Sequence, residues 1–142
     1  MTEDAEDRVV LVDPDGNRIG ECDKMEAHLE GKRHLAFSIF LFDCTGRWLL
    51  QRRAEDKYHS GGLWSNTCCS HPCPGEKLPD AAARRLKQEM GIECRISEAF
   101  VFTYRAELDG GLVEHETDHV FTGRFDGEPV PNPLEVSDWK WV

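Results

Sequence analysis

Ser70-His71-Pro72-Cys73-Pro74-Gly75-Glu76-Lys77-Leu78-Pro79-Asp80-Ala81-Ala82-Ala83-Arg84-Arg85-Leu86-Lys87-Gln88-Glu89-Met90-Gly91-Ile92 is the stretch on which the reading of the whole chain turns. It opens on polar residues and breaks into a loop at Pro72, Pro74 and Gly75, since proline presets one backbone dihedral and glycine permits a positive one. From Ala81 to Met90, Ala83, Leu86 and Met90 recur at helical spacing, Asp80 suits the N-cap, and Gly91 suits the left-handed position after the last turn. Arg85 and Glu89 lie four apart and therefore face the same way. The plain account is a surface ion pair; the sharper one is that Glu89 binds Mg2+ while Arg85 holds a phosphate.

Outward from this helix the pattern is of strands. Arg8 to Val12 is short and apolar, and Asp13-Pro14-Asp15-Gly16 is turn chemistry, which predicts an edge hairpin. Leu35 to Phe42 is β-branched and aromatic, Asp43-Cys44-Thr45-Gly46 turns, and Trp48 to Arg53 resumes, which predicts a central hairpin. Downstream, Ala99 to Leu108 and Leu112 to Phe125 are joined by Asp109-Gly110-Gly111, a tight-hairpin signal. A Pro-rich stretch, Pro129 to Pro133, leads to a last strand at Val136 to Val142. The expected class is α+β (mixed α/β), a mixed β-sheet sandwiched with helices.

A chain of 142 residues makes one domain, spanning 1–142, with one core and one active site. No apolar run approaches the roughly 18 residues of a membrane span, and a net charge of −10 opposes nucleic acid and anionic membranes. A phosphate-bearing substrate would then need metal ions or a local basic patch. Met1 to Arg8 is acidic and polar, unlike a secretory signal, so the chain is expected to be cytoplasmic, with its six cysteines reduced, and monomeric. It stops in mid-pattern at Trp139-Lys140-Trp141-Val142, from which we expect a C-terminal helical segment to be lacking.

Ser65 to Pro72 reads as a polar strand, on which Cys69 and His71, two apart, share a face. By the same rule Glu114 and Glu116 face one way and His115 the other. Taken singly, Cys69 could be a small buried hydrophobe and the two glutamates a solvated strand face. His28 and His34 could join His71 and the glutamates around a divalent ion, or simply pack. A zinc site of Cys68, Cys69, His71 and Cys73 is disfavoured because paired C-x2-C spacing is absent.

The stretch from Ser70 to Ile92, with Glu76, Arg84, Glu89 and Gly91 at fixed intervals, resembles the Nudix box, a strand-loop-helix unit that presents acidic side chains to a metal-bound diphosphate. It departs from the hydrolytic box at Ser70 in place of Gly, Arg85 in place of Glu, and Gln88 in place of the first of two glutamates. Losing carboxylates that bind metals for water attack weakens a hydrolase reading. Those departures, with His34-Leu35-Ala36-Phe37-Ser38, Gln51-Arg52-Arg53-Ala54, the run Trp64 to Pro72, Tyr104-Arg105 and Glu114-His115-Glu116, look like the type I isopentenyl-diphosphate isomerases. The resemblance covers nearly the whole chain, and implies a Nudix-like fold and metal-dependent interconversion of isopentenyl and dimethylallyl diphosphate.

The resemblance further implies Cys69 and Glu116 as the opposed acid/base pair, assisted by Tyr104. It implies a divalent metal, Mn2+, Zn2+ or Mg2+, on His28, His34, His71, Glu114 and Glu116, and Mg2+ between the diphosphate, Glu89 and the backbone carbonyl of Cys69. Lys24, Arg53, Lys57 and Arg85 match the family's diphosphate contacts. A Trp from beyond Val142 covers the pocket in the family. The alternatives are a Nudix hydrolase of another diphosphate and a shortened form that binds metal and prenyl diphosphate without turnover.

Overall fold

The computed structural model of the protein describes residues 7–57 and 60–142. Its spine is β3 (His34–Phe42), in which Phe37, Ile39 and Leu41 on one face and His34, Ala36 and Ser38 on the other are all buried. A strand covered on both faces belongs in mid-sheet with a layer on each side. β3 pairs in parallel with β8 (Val113–Arg124), and β8 pairs antiparallel with β7 (Ile96–Glu107). On its other flank β3 meets β1 (Arg8–Val12) and the short β6 (Cys68–Ser70), both antiparallel, and β2 (Arg18–Asp23) completes the predicted edge hairpin with β1.

Helix α2 (Leu78–Met90) packs Ala81, Ala82, Leu86 and Met90 into one core with Phe37, Ile39 and Leu41. It starts ahead of the predicted Asp80 cap. Lys77 takes the cap position, Pro79 falls in the first turn where its missing N–H costs little, and Asp80 sits near the positive end of the helix. Gly91 ends it at φ 65°, and a Cβ there would lie 2.5 Å from the Val130 carbonyl oxygen. A second helix, α1 (Lys24–Glu30), is not signalled by periodicity, since seven residues hold too few turns to show one. It sets His28 over the other face of β3, with its ring centroid 5.4 Å from that of His34.

The expected central hairpin does not form. β3 and β4 (Leu49–Arg53) meet at one bridge, Phe42 to Trp48, and then part into different sheets, β4 lying between β5 (Trp64–Ser65) and β9 (Val136–Trp141). Thr67 is the reason. The Leu41 N–H donates to Thr67 Oγ1 at 3.0 Å and that hydroxyl donates to the Leu49 carbonyl at 2.6 Å, so the next rung of the hairpin is spent on a fully buried wedge. The same wedge divides the predicted strand at 65–72 into β5 and β6. The joint at Asp109–Gly111 is a single 3-10 turn. All six cysteines are free, and no helix among the described residues is long and apolar enough to cross a membrane.

Candidate active site

Where the two sheets diverge they leave a cavity of about 690 Å³. Strand alternation decides what faces it. From β8 come Glu114, Glu116, Asp118 and Val120; from β7 their cross-strand partners Tyr104, Phe102 and Phe100; from β3 Ser38 and Phe40. The three β7 rings form a row, with neighbouring centroids 6.0 and 5.6 Å apart. Lys24, Arg53, Lys57, Arg85, Glu89 and His71 also line the cavity. His115 points away, toward the Gly31 carbonyl and Arg33, as alternation requires.

Cys69 reaches the cavity beside Ser38, its partner across β3–β6. Its sulfur lies 3.6 Å from Ser38 Oγ, Ser65 Oγ and Asn66 Nδ2. Burial pushes the thiol up to about 11, against the pull of those hydrogen bonds, so at neutral pH it keeps its proton. Ser38 in turn donates to Asp118 Oδ2 at 2.8 Å, and Asp118 Oδ1 is buried without a partner. Burial raises the Asp118 carboxyl to about 7.

Glu116 stands opposite His34 on the far flank of β3, four residues along from Ser38. Burial opposes its ionisation, but His34 and the Tyr104 hydroxyl outweigh that and hold it below the usual carboxylate range. Tyr104 Oη lies 2.8 Å from Glu116 Oε1 and 2.5 Å from Glu114 Oε1. Glu114, half-buried beside a second carboxylate, is raised. The site thus holds a protonated thiol and an ionised carboxylate at neutral pH.

The Nδ1 atoms of His28 and His34 are engaged with the Lys24 and Lys32 carbonyls, leaving each Nε2 to face inward. Ligand atoms of His28, His34 and Glu116 lie within 4.8 Å of one another. His34 is fully buried, and its Nε2 is 3.2 Å from Glu116 Oε2. Two imidazoles and a carboxylate, with their ligand atoms converging this closely in a buried place, fit a divalent cation. His71 and Glu114 line the same cavity but stand outside this tight group, and among the described residues no cysteine joins it.

Glu89 is buried and held by two side chains. Gln51 Nε2 donates to Oε1 at 3.0 Å, and Arg85 donates to Oε2 from Nε at 3.0 Å and Nη2 at 2.5 Å. The sequence-expected residues thus gather around one cavity, with His34 directly behind its wall. Ser38 and Asp118 were given no role by the sequence, although Asp118, two residues beyond Glu116 on the same strand, falls on the same face by alternation.

The NUDIX domain family matches residues 32–142. Isopentenyl-diphosphate Delta-isomerase 2 of Aromatoleum aromaticum is 59% identical over 96% of this chain and 72% of its own length. The isopentenyl-diphosphate Delta-isomerase of Burkholderia multivorans is 56% identical over 96% and 78%. Among solved structures, DR0079 from Deinococcus radiodurans superimposes with a TM-score of 0.78 at 19% identity, covering 95% of this chain and 82% of that one. That likeness concerns the fold, whereas the sequence relatives carry the activity in their names. The chain belongs to the isopentenyl-diphosphate Delta-isomerase family, built on the NUDIX domain.

Proposed function

We propose that the protein interconverts isopentenyl diphosphate and dimethylallyl diphosphate, with Cys69 and Glu116 as the two groups that give and take the proton. The observation that carries this reading is the pairing of a protonated thiol with an ionised carboxylate on opposite flanks of β3 in one cavity. The substrate has no carbonyl to polarise, so one group must protonate an unactivated alkene while the other removes a proton from the far side of the cation that forms. One forward turnover leaves Cys69 as thiolate and Glu116 protonated. Glu116 then returns its proton to solvent and Cys69 takes one from solvent before the next turnover; in the reverse direction the two roles exchange. Tyr104, hydrogen-bonded to Glu116, assists at that end.

The cation is tertiary, and the faces of Phe100, Phe102 and Tyr104 offer it a negative quadrupole. Lys24, Arg53, Lys57 and Arg85 supply the diphosphate contacts that the net charge of −10 makes necessary. A divalent ion, Mn2+, Zn2+ or Mg2+, would be held by His28, His34 and Glu116 with His71 and Glu114 at hand. Mg2+ would be held by Glu89, the diphosphate and the Cys69 carbonyl. Bound ions would neutralise diphosphate charge and adjust the proton affinity of Glu116. Hydrolysis of the diphosphate is disfavoured because a base, Arg85, ion-paired with Glu89, stands where the hydrolytic box would place another metal-binding acid.

Proton NMR of isopentenyl diphosphate in deuterated water with this chain and Mg2+, with and without Mn2+ or Zn2+, tests the proposal. Dimethylallyl diphosphate carrying solvent deuterium is the expected product. Release of phosphate in its place would overturn the reading in favour of a hydrolase.

A further inference from the structure

A smaller recess of about 160 Å³ shares Lys24, Lys57, His71, Arg85 and Glu135 with the main cavity. It contains a carboxylate that the chemistry above leaves unused. Glu135 precedes β9, and its backbone is fixed at several points. Its carbonyl accepts from the Ala54 N–H at 3.0 Å, its own N–H donates to the Asn132 carbonyl at 2.9 Å, and Val136 beside it is buried. The loop before it is docked on the end of α2, where the Val130 N–H reaches the Met90 carbonyl at 2.8 Å and the Asn132 N–H reaches that of Glu89 at 2.9 Å. The helix that carries Arg85 and Glu89 therefore also positions Glu135.

From this fixed base the Glu135 carboxylate bridges two basic residues, Lys57, which it meets in a short ion pair, and Arg85 Nη2 at 3.4 Å. Its side chain and that of Lys57 are about three quarters buried, at 24% and 22% exposure. Arg85 is also held by Glu89, and Arg84, on the same recess, is engaged by Glu76 instead of Glu135. An acid inside a basic recess would repel a diphosphate if it stayed in place. If it yields, it instead keeps Lys57 and Arg85 from repelling each other until an anion arrives.

We propose that Glu135 is an internal stand-in for the substrate's diphosphate, bridging Lys57 and Arg85 in the free enzyme and giving way when the ligand binds. This rests on the reading of the recess as the diphosphate subsite. Binding is then an exchange of anions, which lowers affinity for diphosphate esters and eases their release, because the departing group is replaced at once.

Calorimetric titration of the full chain with inorganic diphosphate in Mg2+ tests the exchange, comparing the parent protein with Glu135→Gln and Glu135→Asp. Glu135→Gln keeps the shape and removes the competing charge, so it should bind diphosphate about fivefold more tightly, as expected for removing one or two screened ion pairs. Glu135→Asp draws the charge back by one methylene and should fall between the two, which keeps the test decisive if the Gln variant melts early. The gap should narrow as salt is raised. Binding unchanged or weakened in both variants, with the parent binding normally, would overturn the proposal and leave Glu135 as an anchor for Lys57 and Arg85. No diphosphate binding by the parent either would overturn the subsite reading itself, and the proposal with it.

Discussion

Arg84 holds Glu76 through two nitrogens, Nε to Oε2 and Nη2 to Oε1, each at 2.9 Å, while the same carboxylate accepts the Cys73 N–H at 2.9 Å. The loop at 73–76 is thus tied to the middle of α2. The loop begins just past β6, the strand that bears Cys69, and ends at the helix that bears Arg85 and Glu89.

Glu76 should therefore matter to stability in a pH-dependent way. The Arg84 contact holds its carboxyl below the usual value of 4.5, so the stabilisation is full above that value and is lost as pH falls through the lower folded-state value. Glu76→Gln should cost about 1 kcal/mol near neutral pH, allowing for solvent screening of a partly exposed pair. Urea unfolding should show the two proteins converging as pH is lowered well below 4.5. A gap that persists there would assign the loss to packing instead of charge.

Thr67→Val tests the wedge between the sheets. The substitution conserves volume but leaves the Leu41 N–H and the Leu49 carbonyl buried without their partner, at a cost of about 2–4 kcal/mol. Chemical denaturation should report it as a lower midpoint with an unchanged slope. A neutral result would mean that strands β3 and β4 part for another reason.

Much of this architecture was legible beforehand, for reasons that separate by physics. β3, β7, β8 and the end of α2 carry strong local signals: a β-branched and aromatic run, an Asp-Gly-Gly joint and a left-handed Gly91. The convergence of Cys69 with Glu116 was readable only through family resemblance, because parity places each side chain on a face but not two faces around one cavity. The central hairpin failed because the signal that breaks it is one threonine, Thr67, acting from 18 residues beyond Leu49. Helix α1 was too short to announce itself, and Glu135 sits in a proline-rich loop whose path is set by contacts with α2.

Phe102 lies between Phe100, tilted against it, and Tyr104, stacked on it, across from Asp118. If the row stabilises a cation that exists only during the reaction, Phe102→Leu should lower kcat about tenfold with little change in KM, corresponding to a cation–π contribution of roughly 1–2 kcal/mol. Steady-state kinetics separates the cases. An equal rise in KM at constant kcat would make the row a binding surface for the alkene alone.

His28, His34 and Glu116 should confer a metal-dependent rise in melting temperature. Thermal melts of chelator-treated protein, with and without added Mn2+ or Zn2+, should show stabilisation that grows with metal concentration, since an ion bound only by the folded state stabilises by mass action. His34→Ala should abolish most of that response. A response that survived the substitution would move the ion elsewhere.

Cys69 should be reluctant to react and yet indispensable. Burial raises its thiol to about 11, so iodoacetamide should label it slowly at neutral pH and about tenfold faster per pH unit from about pH 7 to pH 10, because the thiolate is the reacting species. Cys69→Ala should lower turnover by at least about a thousandfold, the scale of a lost acid/base group, with the melting temperature nearly unchanged. Mass spectrometry of labelled peptides assigns the rate to Cys69 and not to the exposed Cys44. An alanine variant that still incorporates solvent deuterium at the parent's rate would remove Cys69 from the chemistry and leave Glu116 and Tyr104 to supply both proton transfers.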